Sequence, residues 1–328
     1  VRAPSLALRI DAYAAPRWLP GGHAQTIYAS RLRRAAPPLR RERVETQDGD
    51  FWDFDWLDAR SPDAPLVALF HGLEGGAGSH YARALMRALA ERGYAGVIPH
   101  FRGCGGEANR LPRAYHSGDF EEIGALIRAV RARIASGRAL FAVGVSLGGS
   151  ALLNWLGRME QRASDHLAAA AAVSAPLDLT AAGIAIGQGF NVVYTRHFLA
   201  TLKPKSLALA DRFPGRLDPA RIRRARTMWD FDEVVTAPLH GFTGADDYWK
   251  RASSRPWLRA IRLPTLVLNA RNDPFIPAQS LAARPDASDR VLLEKPAHGG
   301  HAGFPSGLFP GHVDWLPQRL LHFFDYAT

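Results

Sequence analysis

The chain has 328 residues, of which 47% are hydrophobic and 22% charged, with one cysteine and a formal net charge of +10. That apolar content excludes a disordered chain, and the length suits one large α/β domain with an insertion or two ordinary domains. The lone Cys104 excludes an internal disulfide and a cysteine-rich zinc site.

The positive charge does not read as a nucleic-acid surface. Lysine occurs only at 203, 205, 250 and 295, so arginine carries nearly all of it. The denser groups are Arg31–Arg33–Arg34, Arg40–Arg41–Arg43 and Arg221–Arg223–Arg224–Arg226. None is a continuous run, and none interleaves with the aromatic platforms that single-strand binders use. With abundant alanine, this reads as compositional bias. The start of the chain is interrupted by Arg2, Pro4, Arg9 and Asp11, which breaks any secretory apolar core. The longest apolar stretch, around 167–175, is far short of the ~20 residues that a membrane span needs. The expectation is a soluble cytoplasmic protein with no stable membrane anchor and no nucleic-acid partner.

Residues 1–43 are rich in Pro, Arg and Gly with little periodicity and read as an irregular arm laid over a core. Residues 51–57 alternate, with Trp52, Phe54 and Trp56 opposite Phe51, Asp53 and Asp55, which predicts an early antiparallel strand. A strand at 66–70 follows. Leu85, Met86 and Leu89 lie at helical spacing over 81–92, with Ser79 as cap and Gly93 as stop. Strands at 95–101, 139–145 and 167–174 alternate with helices at 120–134 and 147–159. The rhythm breaks over 180–262, which is polar, partly helical and rich in aromatics. It resumes with a strand at 265–269, a short helix at 277–283, a strand at 291–294 and a closing helix at 316–326. Continuous apolar strands alternating with helices predict a mostly parallel, doubly wound α/β sheet covered on both faces, with 180–262 inserted as a helical cap. The whole, 1–328, reads as one domain.

The strongest local signal is Gly144-Val145-Ser146-Leu147-Gly148, placed where an apolar strand meets a helix. A sharp strand-to-helix turn strains the serine backbone and tolerates only small neighbours, here Gly144 and Gly148. It lifts the hydroxyl above the sheet and aims the helix N-terminus at any developing negative charge. A serine hydroxyl is a weak nucleophile until a base removes its proton. In this context an acid and then a histidine follow in chain order. Asp273 lies just beyond the strand at 265–269, and Asp178, after the preceding strand, is an alternative acid. His298 and His301, in a glycine-rich loop after 291–294, are nearly equal candidates for the base. Residues 71–76, His-Gly-Leu-Glu-Gly-Gly, follow the strand at 66–70, so the N–H groups of Leu73 and Leu147 would form an oxyanion hole. No cofactor motif and no third ligand for a metal at His298 and His301 is visible.

Several segments together resemble the YheT-type α/β-hydrolases, a family that includes plant embryogenesis-associated hydrolases and animal lipid-cleaving members. They are Pro20-Gly-Gly-His23-Ala-Gln-Thr, His71-Gly-Leu-Glu-Gly-Gly, Phe101-Arg-Gly-Cys104-Gly-Gly-Glu and Tyr115-His-Ser-Gly-Asp119. The others are Gly144-Val-Ser146-Leu-Gly-Gly, Thr236-Ala-Pro-Leu-His-Gly-Phe242, Asn269-Ala-Arg-Asn-Asp273-Pro-Phe and Gly299-Gly-His301-Ala-Gly-Phe304. The resemblance implies an α/β-hydrolase fold and a triad of Ser146, Asp273 and His301, and favours His301 over His298. It implies hydrolysis of a carboxylic ester. The aromatics of the 180–262 insertion suit an apolar acyl chain, so the expected small-molecule substrate is a lipid-like or medium-chain ester, and no cofactor or metal is expected. Acyl transfer, thioester or amide cleavage on the same residues, and a non-catalytic binding protein, are the alternatives. Asn272, where the family often has a second acid, and His100, where it often has Asn, are departures outside the triad. Arg102 and Asp119 read as an internal pair, Cys104 as a packed loop residue, and Glu74 as a residue orienting the Leu73 loop. His23 lies near the site only if the arm crosses it.

Overall fold

A computed structural model of the chain describes residues 12–32 and 35–327. The opening residues on which the reading of a broken secretory core rested, and Arg33 and Arg34, lie outside that range. Among the described residues, eight strands form one sheet in the order β1-β2-β4-β3-β5-β6-β7-β8. They are β1 (Arg40–Glu45), β2 (Phe51–Leu57), β3 (Leu66–Phe70), β4 (Ala95–Pro99), β5 (Leu140–Val145), β6 (Ala169–Val173), β7 (Thr265–Leu268) and β8 (Val291–Glu294). β1 and β2 are antiparallel to each other, β2 is antiparallel to β4, and all remaining pairs are parallel.

The helices are α1 (Gly22–Arg31), α2 (His80–Arg92), α3 (Phe120–Arg131), α4 (Leu147–Met159), α5 (Leu179–Ile186), α6 (Val192–Arg212), α7 (Pro219–Arg224), α8 (Met228–Phe231), α9 (Ala237–His240), α10 (Ala245–Ala252) and α11 (Trp315–Ala327). Because successive strand residues point to opposite faces, the sheet has two apolar sides. Leu66, Ala68, Phe70, Leu140 and Ala142 pack with α3 and α4 on one side. Val67, Leu69, Phe141, Val143 and Val145 pack with α2 and α11 on the other. Covering both faces removes the central strands from water, which is why they are apolar throughout.

Strand β2 has the expected span and direction, but all seven of its residues are buried, Asp53 and Asp55 included. A buried carboxylate needs a partner. Arg43 reaches Asp53 at 2.9 Å, while Arg41 at 2.6 Å and His100 at 2.7 Å reach Asp55.

Other expectations need correction. The stretch 1–43 is not irregular throughout: it contains α1 and the start of β1. Helix α1 escaped the pattern because its buried residues are Gln25, Thr26 and Ala29, so it shows no apolar stripe. Residues 277–283 form only a single 3₁₀ turn at Ala278–Ser280, since Pro277 and the loop around it break the helix. Ser79 occupies the N-cap of α2, yet its hydroxyl accepts from the Gly76 N–H at 3.2 Å rather than from the helix. Gly93 ends α2 in the left-handed conformation, φ 75°, as its sequence position predicts. Arg102 does not pair with Asp119. It bonds Asp50 at 2.8 Å, Asp48 and Glu122 at 2.9 Å, while Asp119 bonds Arg113.

Candidate active site

Ser146 sits between β5 and α4 with φ 54° and ψ −119°, a conformation that costs a non-glycine residue of order 1–3 kcal/mol. Its surroundings enforce that geometry. A Cβ on Gly144 would lie 2.5 Å from the Gly148 carbonyl oxygen, and one on Gly148 would run into the Phe70 and His71 carbonyls. The turn therefore packs directly against the end of β3 and the loop that leaves it. The Ser146 N–H donates to Val173 O at 2.8 Å, which fastens the turn to β6.

The structure brings Ser146, Asp273 and His301 together. His301 Nδ1 donates to Asp273 Oδ2 at 2.8 Å. That assignment leaves Nε2 to accept from the Ser146 hydroxyl, 2.9 Å away. The Asp273 side chain is fully buried, and its second oxygen accepts from the Phe275 N–H at 2.8 Å. The carboxylate is thus aimed by its own loop. The Phe275 ring lies against the His301 imidazole, with centroids 4.3 Å apart.

The alternatives stand elsewhere. His298 is exposed, with Nδ1 3.4 Å from Asn272 Nδ2. Asp178 caps α5 by accepting from the Ala181 N–H at 3.0 Å. Among the described residues no group of three or more His, Cys, Asp or Glu is arranged to hold a metal ion.

The loop after β3 lies beside Ser146, where a Cβ on Gly72 would be 3.1 Å from the serine Cβ. The N–H groups of Leu73 and Leu147 bond to nothing else among the described residues, and both residues line the same cavity as Ser146 and His301. Leu147 is also the first residue of α4, where the helix dipole adds positive potential. Glu74 holds this loop in a left-handed turn, φ 55°. The Tyr115 hydroxyl accepts from its N–H at 2.7 Å and donates to its carboxylate at 3.0 Å, and Lys205 of α6 reaches the carboxylate at 2.8 Å. His71, fully buried, donates from Nδ1 to Gly72 O at 2.8 Å and accepts at Nε2 from the Phe101 N–H at 3.2 Å. Burial pushes its pKa down to about 3, so the ring is neutral. Burial also pushes the Cys104 thiol up to about 11, which keeps it protonated and unreactive.

A cavity of about 530 Å³ opens from Ser146 and His301 between the sheet and helices α5, α6, α8, α9 and α10. Its walls are mostly apolar, with Leu179, Ile186, Phe198, Leu202, Val235 and Ile276 among them. Tyr194 of α6 joins the helices to the acid loop, its ring 4.7 Å from that of Phe275. His23 of α1 reaches the Tyr194 hydroxyl at 3.2 Å, so the arm does cross toward the site. Sequence reasoning passed over Gln25 and Thr26 of α1, and Ser174 after β6, whose side chains bond the His301 loop. The signal for the first two was available in the segment Pro20–Thr26, where only His23 drew attention.

A strand-turn-helix serine, an acid after β7 and a histidine after β8 on this sheet define an α/β hydrolase. Residues 65–308 match the family model for the alpha/beta hydrolase fold, and the chain belongs to that family, in its esterase and lipase branch. The chain is 36% identical over 91% of its length to Escherichia coli (strain K12) YheT, an esterase by name, covering 88% of that protein. It is 28% identical to the Saccharomyces cerevisiae medium-chain fatty acid ethyl ester synthase/esterase 2, over 89% of this chain and 68% of the relative. Among solved structures, the Pyrococcus furiosus esterase Pf2001 superposes with a TM-score of 0.56 at 15% identity, over 88% of this chain and 90% of that one. That last likeness speaks for the fold.

Proposed function

We propose that the chain is a serine carboxylic-ester hydrolase. The observation that carries this reading is the line of hydrogen bonds from Asp273 through His301 to Ser146, ending in an apolar cavity beside two N–H groups that pair with no described residue. Ser146 Oγ attacks the acyl carbonyl carbon while His301 Nε2 takes its proton. Asp273 holds the imidazole in the tautomer that can accept, and stabilises it once charged. The carbonyl oxygen, now negative, lies between the Leu73 and Leu147 N–H groups, each such donor being worth about 3–4 kcal/mol in the transition state. The imidazolium returns the proton to the leaving alkoxide. Water then attacks the acyl-enzyme by the same route in reverse, releasing the acid and restoring Ser146.

In this reading 180–262 is a cap, and helix α1 braces the acid and histidine loops. The apolar walls favour an acyl chain over a polar group, which supports a lipid-like or medium-chain ester as substrate. Transfer of the acyl group to an alcohol is a second reading on the same intermediate, favoured by the synthase/esterase named among the relatives. The test is hydrolysis of p-nitrophenyl butyrate and octanoate by wild type and Ser146→Ala, with fluorophosphonate labelling of both. Wild type should turn over and label, and the variant should do neither. Equal rates for the two would overturn the proposal. Adding ethanol and separating free acid from ethyl ester distinguishes hydrolysis from transfer.

A further inference from the structure

The loop that carries His301 is held in an unusual way. Four successive backbone N–H groups donate to side-chain oxygens instead of backbone carbonyls. Gly299 donates to Gln25 Oε1 at 2.9 Å, Gly300 to Asn272 Oδ1 at 3.1 Å, His301 to Thr26 Oγ1 at 2.9 Å and Ala302 to Ser174 Oγ at 3.0 Å. A strand or helix ladder would hold this backbone whatever the side chains were. Here the position of the loop is set by particular side chains from α1, from the acid loop and from the end of β6.

The acceptors are themselves fixed by their own donors. The Thr26 hydroxyl gives its one proton to Gly22 O at 2.7 Å, so it can meet the His301 N–H only with a lone pair. Gln25, 1% exposed, donates from Nε2 to Leu19 O at 3.0 Å, which turns Oε1 toward the loop. The same Oε1 accepts from Asn272 Nδ2 at 3.0 Å. Asn272 therefore presents its nitrogen to Gln25 and its oxygen to Gly300, and neither amide can flip without setting donor against donor. Helix α1 rests directly on the acid loop, since any Cβ on Gly22 would overlap the Asn272 carbonyl oxygen. One connected set of bonds thus spans the loop of Asp273 and the loop of His301.

We propose that Gln25, Thr26 and Asn272 are positioning residues that set the His301 ring against Ser146 and Asp273, so that α1 is part of the machinery of turnover. This inference rests on the reading of His301 as the general base. The loop holds Gly299 at φ 146° and Gly300 at φ 62°, with Ala302 at φ 55° and Phe304 at φ 45°, so it has little regular structure to fall back on. Removing one acceptor lets the loop shift, and a shift of about 1 Å at a reacting group can cost on the order of 100-fold in rate. Asn272 also gives the departure from the family pattern a consequence. An Asp there could still accept from Gly300 but could not donate to Gln25.

The experiment compares wild type, Thr26→Val, Thr26→Ser and Asn272→Asp on p-nitrophenyl butyrate, with rates normalised to Ser146 titrated by a fluorophosphonate. Thermal unfolding is recorded alongside. Thr26→Val keeps the shape and loses the acceptor, and its kcat should fall at least about 10-fold with KM within about 2-fold of wild type. Thr26→Ser, which restores the hydroxyl, should return kcat to within about 3-fold. Asn272→Asp, at a partly exposed position, should lower kcat in the same sense. A merely structural role would lower the melting temperature and leave kcat per titrated site unchanged. Wild-type kcat in both Thr26→Val and Asn272→Asp would overturn the inference while Ser146→Ala remained inactive. A wild type that neither hydrolyses nor labels would overturn the reading of the site and this inference with it.

Discussion

Acidification from pH 7.5 to 5 should remove several kcal/mol of the protein's stability, because four histidines are folded in neutral form. His71 is pushed down to about 3 by burial, against the opposing pull of its bond to Gly72. His80, which bonds Ala302 O at 3.0 Å, is pushed down to about 4 by burial. His116 and His240, with ring centroids 4.5 Å apart, are each pushed down to about 3, again chiefly by burial. Unfolded histidine titrates near 6.5, so between that value and about 3–4 the unfolded chain binds protons that the folded chain refuses. Stability is therefore complete above about pH 6.5 and is lost as the pH falls toward the folded values. At pH 5 each group is about 1.5 units below its unfolded pKa, which is about 2 kcal/mol apiece or roughly 8 kcal/mol for four. Asp232 opposes them. Burial pushes its carboxyl up to about 6, against the bonds from Thr236 and Trp249, so the folded chain gains one proton first and recovers about 1.4 kcal/mol at pH 5. Carboxylates held below the usual range against their burial lose their contribution only at lower pH: Asp50 is held there by bonds from the Arg110 N–H, Asn109 and Arg102, and Asp55 by bonds from His100 and Arg41. The net loss of about 6.5 kcal/mol compares with a typical total of about 5–15 kcal/mol. Urea unfolding followed by tryptophan fluorescence at pH 7.5, 6.5, 5.5 and 5.0 measures it. Near pH 5.5 the slope should correspond to about three protons, or about 4 kcal/mol per pH unit. His240→Phe removes a ring whose buried Nε2 has no partner among the described residues, and should reduce that slope by about one proton. An unfolding free energy constant to within about 1 kcal/mol over this range would refute the reasoning.

Two further predictions concern the site. Asp273→Asn should lower kcat on p-nitrophenyl butyrate by about 10⁴-fold, since an amide nitrogen facing Nδ1 selects the wrong imidazole tautomer. A variant within about 10-fold of wild type would remove Asp273 from the proposed mechanism. Leu202→Trp places a larger ring in the cavity wall, so kcat/KM on p-nitrophenyl octanoate should fall about 10-fold or more while the acetate stays within about 3-fold. An equal loss on both esters would show that the cavity does not hold the acyl chain.

The sheet was legible because its central strands are buried on both sides and so read as unbroken apolar runs. The elbow was legible because a strained turn demands glycines at fixed offsets, as Gly144 and Gly148 supply. Asp273 and His301 could be placed only to the ends of β7 and β8, and chemistry alone did not separate His301 from the exposed His298. Helix α1 stayed hidden because its inward side carries Gln25 and Thr26, whose use is to receive loop N–H groups, and polar residues leave no hydrophobic period. The Arg102 partners were missed for a related reason. Asp50 and Glu122 lie far from it in sequence, and only the fold brings three carboxylates around one guanidinium. The wall of the cavity was the least legible part, since aromatic and aliphatic residues in a helical insertion pack equally well on one another.

The arginines that give the chain its charge have a consequence for how the sheet edge assembles. Arg41 stands directly across from Asp55, and Arg43 across from Asp53. A one-residue slip of β1 would turn both guanidiniums to the opposite face, leaving buried Asp53 without its cation and Asp55 with His100 alone. A two-residue slip in one direction sets Glu45 against Asp53, like charge against like. In the other direction it sets Leu39 against Asp55. Only one alignment satisfies both acids, so the edge strand is keyed electrostatically where apolar patterning on this exposed strand could not specify it. The charged edge that results also offers poor footing for the strand of another molecule.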